Sequence, residues 1–246
     1  MGTFYNTKIP SRDNLVFYVD FGNPKVYNNS HKEMIHGMPI TQNTAQLIST
    51  FGGGSVVNNT GSSNLKYSSS AFSTYDYTAG WSAVAIATVF GLAGEATLSY
   101  HGLFGNGNSW SGQYARFVNL WLQKTSGSRL RLHQSTSNSA GNGYAGSFSN
   151  AFDPPADGGR LMVGYSHNAV DNCRYFVNGS FLSSHSVGSM ITSWPSQNEL
   201  NIISAYGSGG HYFTNGRIFA VLVYNKLLTD AEHLSIYNAY KDRFVI

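Results

Sequence analysis

The chain has 246 residues, a formal net charge of +3 and only 11% charged residues. So small a charge excludes an electrostatic nucleic-acid binder, and 41% hydrophobic with 14% aromatic residues excludes a disordered chain. A lone cysteine, Cys173, excludes an intrachain disulfide framework, and no apolar run reaches the roughly 18 residues of a membrane span.

In chain order, residues 1–14 (MGTFYNTKIPSRDN) read as an arm; with no basic stretch leading into an apolar one, no secretion signal is expected. Residues 15–20 (LVFYVD) form the first strand, and FGNPK turns the chain, with Pro24 fixing φ. Residues 28–78 are polar and irregular, with short candidate strands at 45–50 and 55–57. Gly52-Gly53-Gly54 is a bend, since it lacks the lysine and helix of a phosphate loop. Residues 81–90 (WSAVAIATVF) and 98–104 are apolar strands, the second running into the loop GNGNSWSG. Segments 115–123 and 130–134 flank KTSGS as a hairpin, with Lys124, Arg129 and Arg131 read as its solvated face. Residues 160–167 and 174–177 pair across NAVDN, Cys173 packs as a small apolar residue, and Asn178-Gly179 is a type I′ turn into strand 181–187.

The stretch 199–240 reads as strand, glycine-rich loop, strand and short helix. Residues 217–225 are apolar on both alternating faces: Ile218, Ala220, Leu222 and Tyr224 on one, Phe219, Val221 and Val223 on the other. Such a strand belongs in the middle of a sheet. Thr229 and Glu232 form a capping box, so a helix starts near Asp230, with Ala231, Leu234, Tyr237 and Tyr240 as its apolar face. Many short strands at similar spacing, with one late helix, predict an all-β protein. The arrangement expected is a two-sheet antiparallel β-sandwich, in one domain spanning 1–246.

The chemistry-bearing residues are few. No two of the 12 acids fall at i, i+2 or i, i+4 within a predicted strand, so the carboxylate pair of a glycosidase is missing. Asp153 and Asp157 share a proline-rich loop, and Asp230 and Glu232 belong to the helix start. No G-x-S-x-G elbow and no H-E-x-x-H pair occurs. His31 and His36 read as solvated, and His101 and His167, at strand ends, as hydrogen-bonded structural residues. The protein is therefore expected to be no enzyme, with no catalytic residues and no metal ligands. What remains is rings and amides in loops: Asn106, Asn108 and Trp110 after 105, Tyr144 in NGYAG, and Tyr206, His211 and Tyr212 around GSGG. Flat rings beside amides suit sugars, whose C–H faces stack and whose hydroxyls bond; they also suit protein interfaces. These seven are the predicted ligand-binding residues. The loops 105–112 and 205–215 contain no Asp or Glu, so they leave room only for weak calcium binding through neutral oxygens, and no cofactor is expected.

The order of motifs resembles a known family. WSAVAIATV, RLMVGYSHNAVDNCRYFVNGSFLSS and NGRIFAVLVYNKLLTDAEHLSIYNAY are similar to the tryptophan-led strand, the V-[DN]-G hairpin and the closing segment of laminin-G-like, or concanavalin A-like, jelly-roll domains. The opening LVFYVDFGNPKVY resembles the start of a subset carried by bacteriophage virions. The resemblance implies recognition of proteins or glycans through rim loops. For the phage subset it implies a capsid-decoration, fibre or tail surface protein made in the host cytoplasm. Its partners would be other virion proteins and host surface glycans, in a homo-oligomer or symmetric array. A lectin-like carbohydrate-binding module outside any virion is the alternative.

Overall fold

The computed structural model describes residues 9–23, 26, 32–43, 45–48, 54–57, 65–90, 99–106, 118–137, 144–156, 158–168, 170–187, 198–207, 210–213, 215–244 and 246. The strands in chain order are β1 (Leu15–Asp20), β2 (Ile40–Asn43), β3 (Gln46–Ile48), β4 (Ser55–Val57), β5 (Leu65–Ser68), β6 (Trp81–Val89), β7 (Tyr100–Gly105) and β8 (Asn119–Lys124). There follow β9 (Leu130–Ser137), β10 (Tyr144–Phe148), β11 (Arg160–His167), β12 (Asn172–Val177), β13 (Ser180–Ser186), β14 (Glu199–Ile202), β15 (Ser204–Gly207), β16 (Gly210–Phe213) and β17 (Gly216–Tyr224). The C-terminal helix α1 is Asp230–Phe244.

Two antiparallel sheets face each other. The first runs β13-β12-β11-β6-β17-β4-β3, with β1 also paired to β17; the second runs β10-β9-β8-β7-β14-β5-β2. Alternation fills the interior. Trp81, Ala83, Ala85, Ala87 and Val89 of β6 point into the sandwich with Leu120, Leu122, Leu130 and Leu132 of the second sheet. Val84 and Ile86 point outward, into a second core beneath α1. The central strands β6, β17 and β11 of the first sheet are therefore buried on both faces, and β17 lies centrally, as its composition predicts.

Two details differ from the sequence pattern. A bulge between Ile218 and Ala220 breaks strict alternation on β17. It turns Ile218 toward the sandwich core and Phe219 toward the helix. On α1 the buried residues are His233, Ile236, Tyr240 and Phe244, not the Ala231, Leu234, Tyr237 row; Leu234 is exposed. The physical reason is His233, whose ring stacks on Phe176 at 3.7 Å and so packs like an apolar residue.

The capping box forms as expected. Thr229 Oγ1 accepts the Glu232 N–H at 3.2 Å, and Glu232 Oε2 accepts the Thr229 N–H at 2.8 Å. The described part of the N-terminal arm is packed here as well: Ile9 is buried in the core under α1, and Ser11 Oγ donates to Glu232 Oε1. Burial alone would raise the Glu232 pKa; hydrogen bonds from Lys226, Ser11 and Thr229 outweigh it and bring the carboxyl to about 2. A second clamp joins the ends of the chain. Arg243 donates to the fully buried Asp20 at 2.6 Å, Gly22 N–H donates to the same carboxylate at 3.1 Å, and Tyr18 and Tyr240 hydroxyls meet at 2.6 Å. The turn Asn178-Gly179 has φ of 50° and 76°, the left-handed pair that a type I′ hairpin requires.

Candidate functional site

The second sheet carries an unusual outer face. On β8 and β9, Leu120, Leu122, Leu130 and Leu132 point inward, and alternating with them are Trp121, Gln123, Arg131 and His133. The register places Trp121 opposite His133, and His133 opposite Phe148 of β10. The rings therefore form a row across four strands. Centroids are 6.0 Å apart from Tyr100 to Trp121, 4.6 Å from Trp121 to His133, and 3.9 Å from His133 to Phe148. Arg131 closes the row, its guanidinium 3.8 Å from the Phe148 centroid and its Nε donating to Gln123 Oε1 at 2.5 Å.

Beside the rings lies a row of amides. Asn119 pairs with Gly105, Gly105 with Asn201, and Asn201 with Lys66. Asn201 Nδ2 donates to Gly105 O at 3.4 Å, and Lys66 meets Glu199 at 3.0 Å. The centre of this face is covered and its ends are open. Trp121 and His133 are 1% and 3% exposed, whereas Tyr100, Arg131 and Phe148 are half-buried. The residues 205–215, read from sequence as a glycine-rich loop, contain the hairpin β15–β16, which packs against β7 and β8.

Of the seven predicted ligand residues, Asn106 is a fold element. It is buried, its Oδ1 accepts the Val118 N–H at 2.8 Å, and its own N–H donates to Val118 O at 3.0 Å, tying the end of β7 to the start of β8. Asn108 and Trp110 lie outside the described residues. Tyr144 stands on β10, Tyr206 on β15, and His211 and Tyr212 on β16; their side chains lie outside the described part of the structure. The backbone still gathers these segments: β10 is an edge of the ring-bearing sheet, and β15–β16 lies along its middle. The ring row itself escaped the sequence reading. Its signal was the alternation in NLWLQK and LRLHQ, where leucines claim one face and rings and long polar residues share the other. The expected solvated face of that hairpin is correspondingly different. Lys124 is buried, Arg131 lies on Phe148, and Arg129 is exposed and paired with Asp153 at 2.9 Å.

Other chemistry-bearing groups serve the fold. Ser166 Oγ sits 3.0 Å from His233 Nε2, the spacing of a nucleophile and its base. Yet His233 Nδ1 has no hydrogen-bond partner among the described residues, Ser166 Oγ also contacts Leu228 O at 3.0 Å, and burial holds the imidazole at about 3. His167 is fully buried and stacks on Trp81 at 4.6 Å. Neither ring nitrogen has a partner among the described residues, so stacking holds it instead of the expected hydrogen bond; burial lowers it to about 4. His36, on the surface, meets Tyr75 OH at 2.9 Å, and His31 lies outside the described residues. Cys173 is buried in the core, where desolvation raises its thiol to about 12. Among the described residues no group of three or more His, Cys, Asp or Glu could hold a metal ion, and no helix is long and apolar enough to cross a membrane.

No protein-family model matches the chain, and no curated protein matches it in sequence. Solved structures match it in shape. The binding domain of paraclostridial mosquitocidal protein 1 superposes with a TM-score of 0.65 at 12% identity, over 93% of this chain and 52% of that one. The binding domain of botulinum neurotoxin DC in complex with rat synaptotagmin II gives 0.63 at 10% identity, over 93% and 52%. The same domain in complex with SialylT gives 0.58 at 9% identity, over 93% and 51%. The chain spans about half the length of these structures, and at such identities the likeness is one of fold: a jelly-roll β-sandwich.

Proposed function

We propose that this protein is a non-enzymatic binding module that recognises glycans on the outer face of the β7–β10 sheet. The observation that carries this reading is the ring row from Tyr100 to Phe148, ending under Arg131. A sugar presents an apolar C–H face and a polar edge; the half-buried Tyr100 and Phe148 rings at the ends of the row and the Arg131 fork offer partners to both. The similar structures support it, since they are binding domains and one is in complex with SialylT, another with rat synaptotagmin II. A glycan array with the wild type, Phe148→Ala and Arg131→Gln tests the reading. Both substituted residues are half-buried, so the fold should persist while retained glycans fall away. A wild type that retains no glycan at millimolar ligand sinks it.

A second reading places the module on a bacteriophage virion, in a symmetric array with other virion proteins, at most weakly dependent on calcium. Its support is the opening motif at 15–27. Two of that motif's marked residues, Asp20 and Asn23, are buried and have work within the fold, Asp20 by holding Arg243. Absence of the chain from purified particles would remove this setting and leave the glycan module standing.

A further inference from the structure

A preformed pocket of about 240 Å3 opens on the opposite side of the sandwich from the ring row, at the foot of α1, between the 168–172 turn and the 226–229 loop. Its walls are fixed from below. Ser82 Oγ accepts the Leu228 N–H at 2.8 Å and contacts Lys226 O at 2.8 Å, and Ser166 Oγ lies 2.8 Å from Ser82 Oγ. The facing turn is set by Asn168 Oδ1, which accepts the N–H groups of Asp171 at 3.0 Å and Asn172 at 2.7 Å. A site so braced needs no ordering when a ligand enters.

The lining decides the ligand class. Arg174 is the cation of the pocket, and Asp230 holds it with two contacts of 2.8 and 3.1 Å, so its charge is cancelled. The Glu232 N–H at the start of α1 is already taken by Thr229 Oγ1. An anion therefore finds no net attraction here. Opposite these polar groups stand Leu228 and Leu227, the latter 37% exposed. The Asn172 side-chain amide has no partner among the described residues. The volume is below the roughly 300–1,000 Å3 of drug-sized sites and suits one ring.

We propose that this pocket binds a single uncharged sugar ring, its C–H face on Leu227 and its hydroxyls on the Asn172 amide and the Arg174–Asp230 pair. The inference does not depend on the ring row. The test is a 1H–15N titration of the full chain with the methyl pyranosides of glucose, galactose and mannose, and separately with inorganic phosphate. At least one pyranoside should shift the amides of Asn172, Arg174, Leu228 and Thr229 at millimolar concentration. Asn172→Ala should weaken that binding about 5–10-fold, the worth of one hydrogen bond. Leu227→Ser should weaken it too, and Phe148→Ala should leave it unchanged. Two results overturn the proposal: no pyranoside moves these four amides, or phosphate alone does. Equal affinity in the wild type, Asn172→Ala and Leu227→Ser overturns it as well. An array on which no glycan depends on Phe148, with these shifts intact, would refute the ring row and spare the pocket.

Discussion

Acidification from pH 7 to pH 5 should destabilise this fold through two buried imidazoles. His167 and His233 are both fully buried, and burial lowers them from 6.5 to about 4 and about 3. Their folded-state values lie below the unfolded one, so both are neutral in the native protein while the unfolded chain takes up protons first. Their contribution to stability is complete above about 6.5 and is lost as pH falls toward 4 and 3. Integrating the linkage from pH 7 to 5 gives about 2 kcal/mol for each, or about 4 kcal/mol together. That corresponds to a fall in Tm of roughly 8–16 °C for a domain of this size. Asp20 and Glu33, whose carboxyls burial raises, work in the opposite sense as they protonate, and so blunt the loss toward the acid end. Urea denaturation at half-unit steps between pH 7 and 5 measures the slope. His167→Phe keeps the stack on Trp81, removes two unpartnered ring nitrogens, and should halve that slope while raising stability at pH 5. A flat stability profile between pH 7 and 5, or an unchanged slope in His167→Phe, would refute the reasoning.

Three further outcomes follow from the same geometry. Arg243→Met leaves the buried Asp20 carboxylate without its cation and should cost about 3 kcal/mol by urea denaturation; adding Asp20→Asn should restore part of it. Gly164→Ala places a Cβ 2.9 Å from Ala83 O and 3.3 Å from His233 Cε1, so β11 or α1 must shift, at about 1–3 kcal/mol in thermal unfolding. Thr229→Ala removes the N-cap of α1 and should cost about 1 kcal/mol, with far-UV circular dichroism nearly unchanged.

Most of the architecture was legible in the sequence because strong local signals agreed with one another. The capping box at Thr229, the Asn178-Gly179 turn and the two-faced strand at 217–225 each appear where the residues place them. Misreadings arose where a polar residue behaves as a core residue. His233 packs on Phe176 and so rotates the buried face of α1 away from Leu234. The bulge at Ile218–Ala220 depends on pairing with β6, a long-range fact that no window of sequence contains. The site was less legible. Rings in loops drew attention because loops usually carry function, whereas Trp121, His133 and Phe148 come from three strands and meet through register alone. Asn106 has the right chemistry for a ligand contact, but its amide oxygen is used by Val118.

The most direct test of glycan recognition by the ring-lined face is chemical-shift mapping with a glycan retained on the array. The amides of Gln123, Arg131, His133 and Phe148 should move together, and Phe148→Ala should abolish the change while the spectrum stays dispersed. A glycan that binds with equal affinity to Phe148→Ala, and leaves these four amides unmoved, would contradict the account.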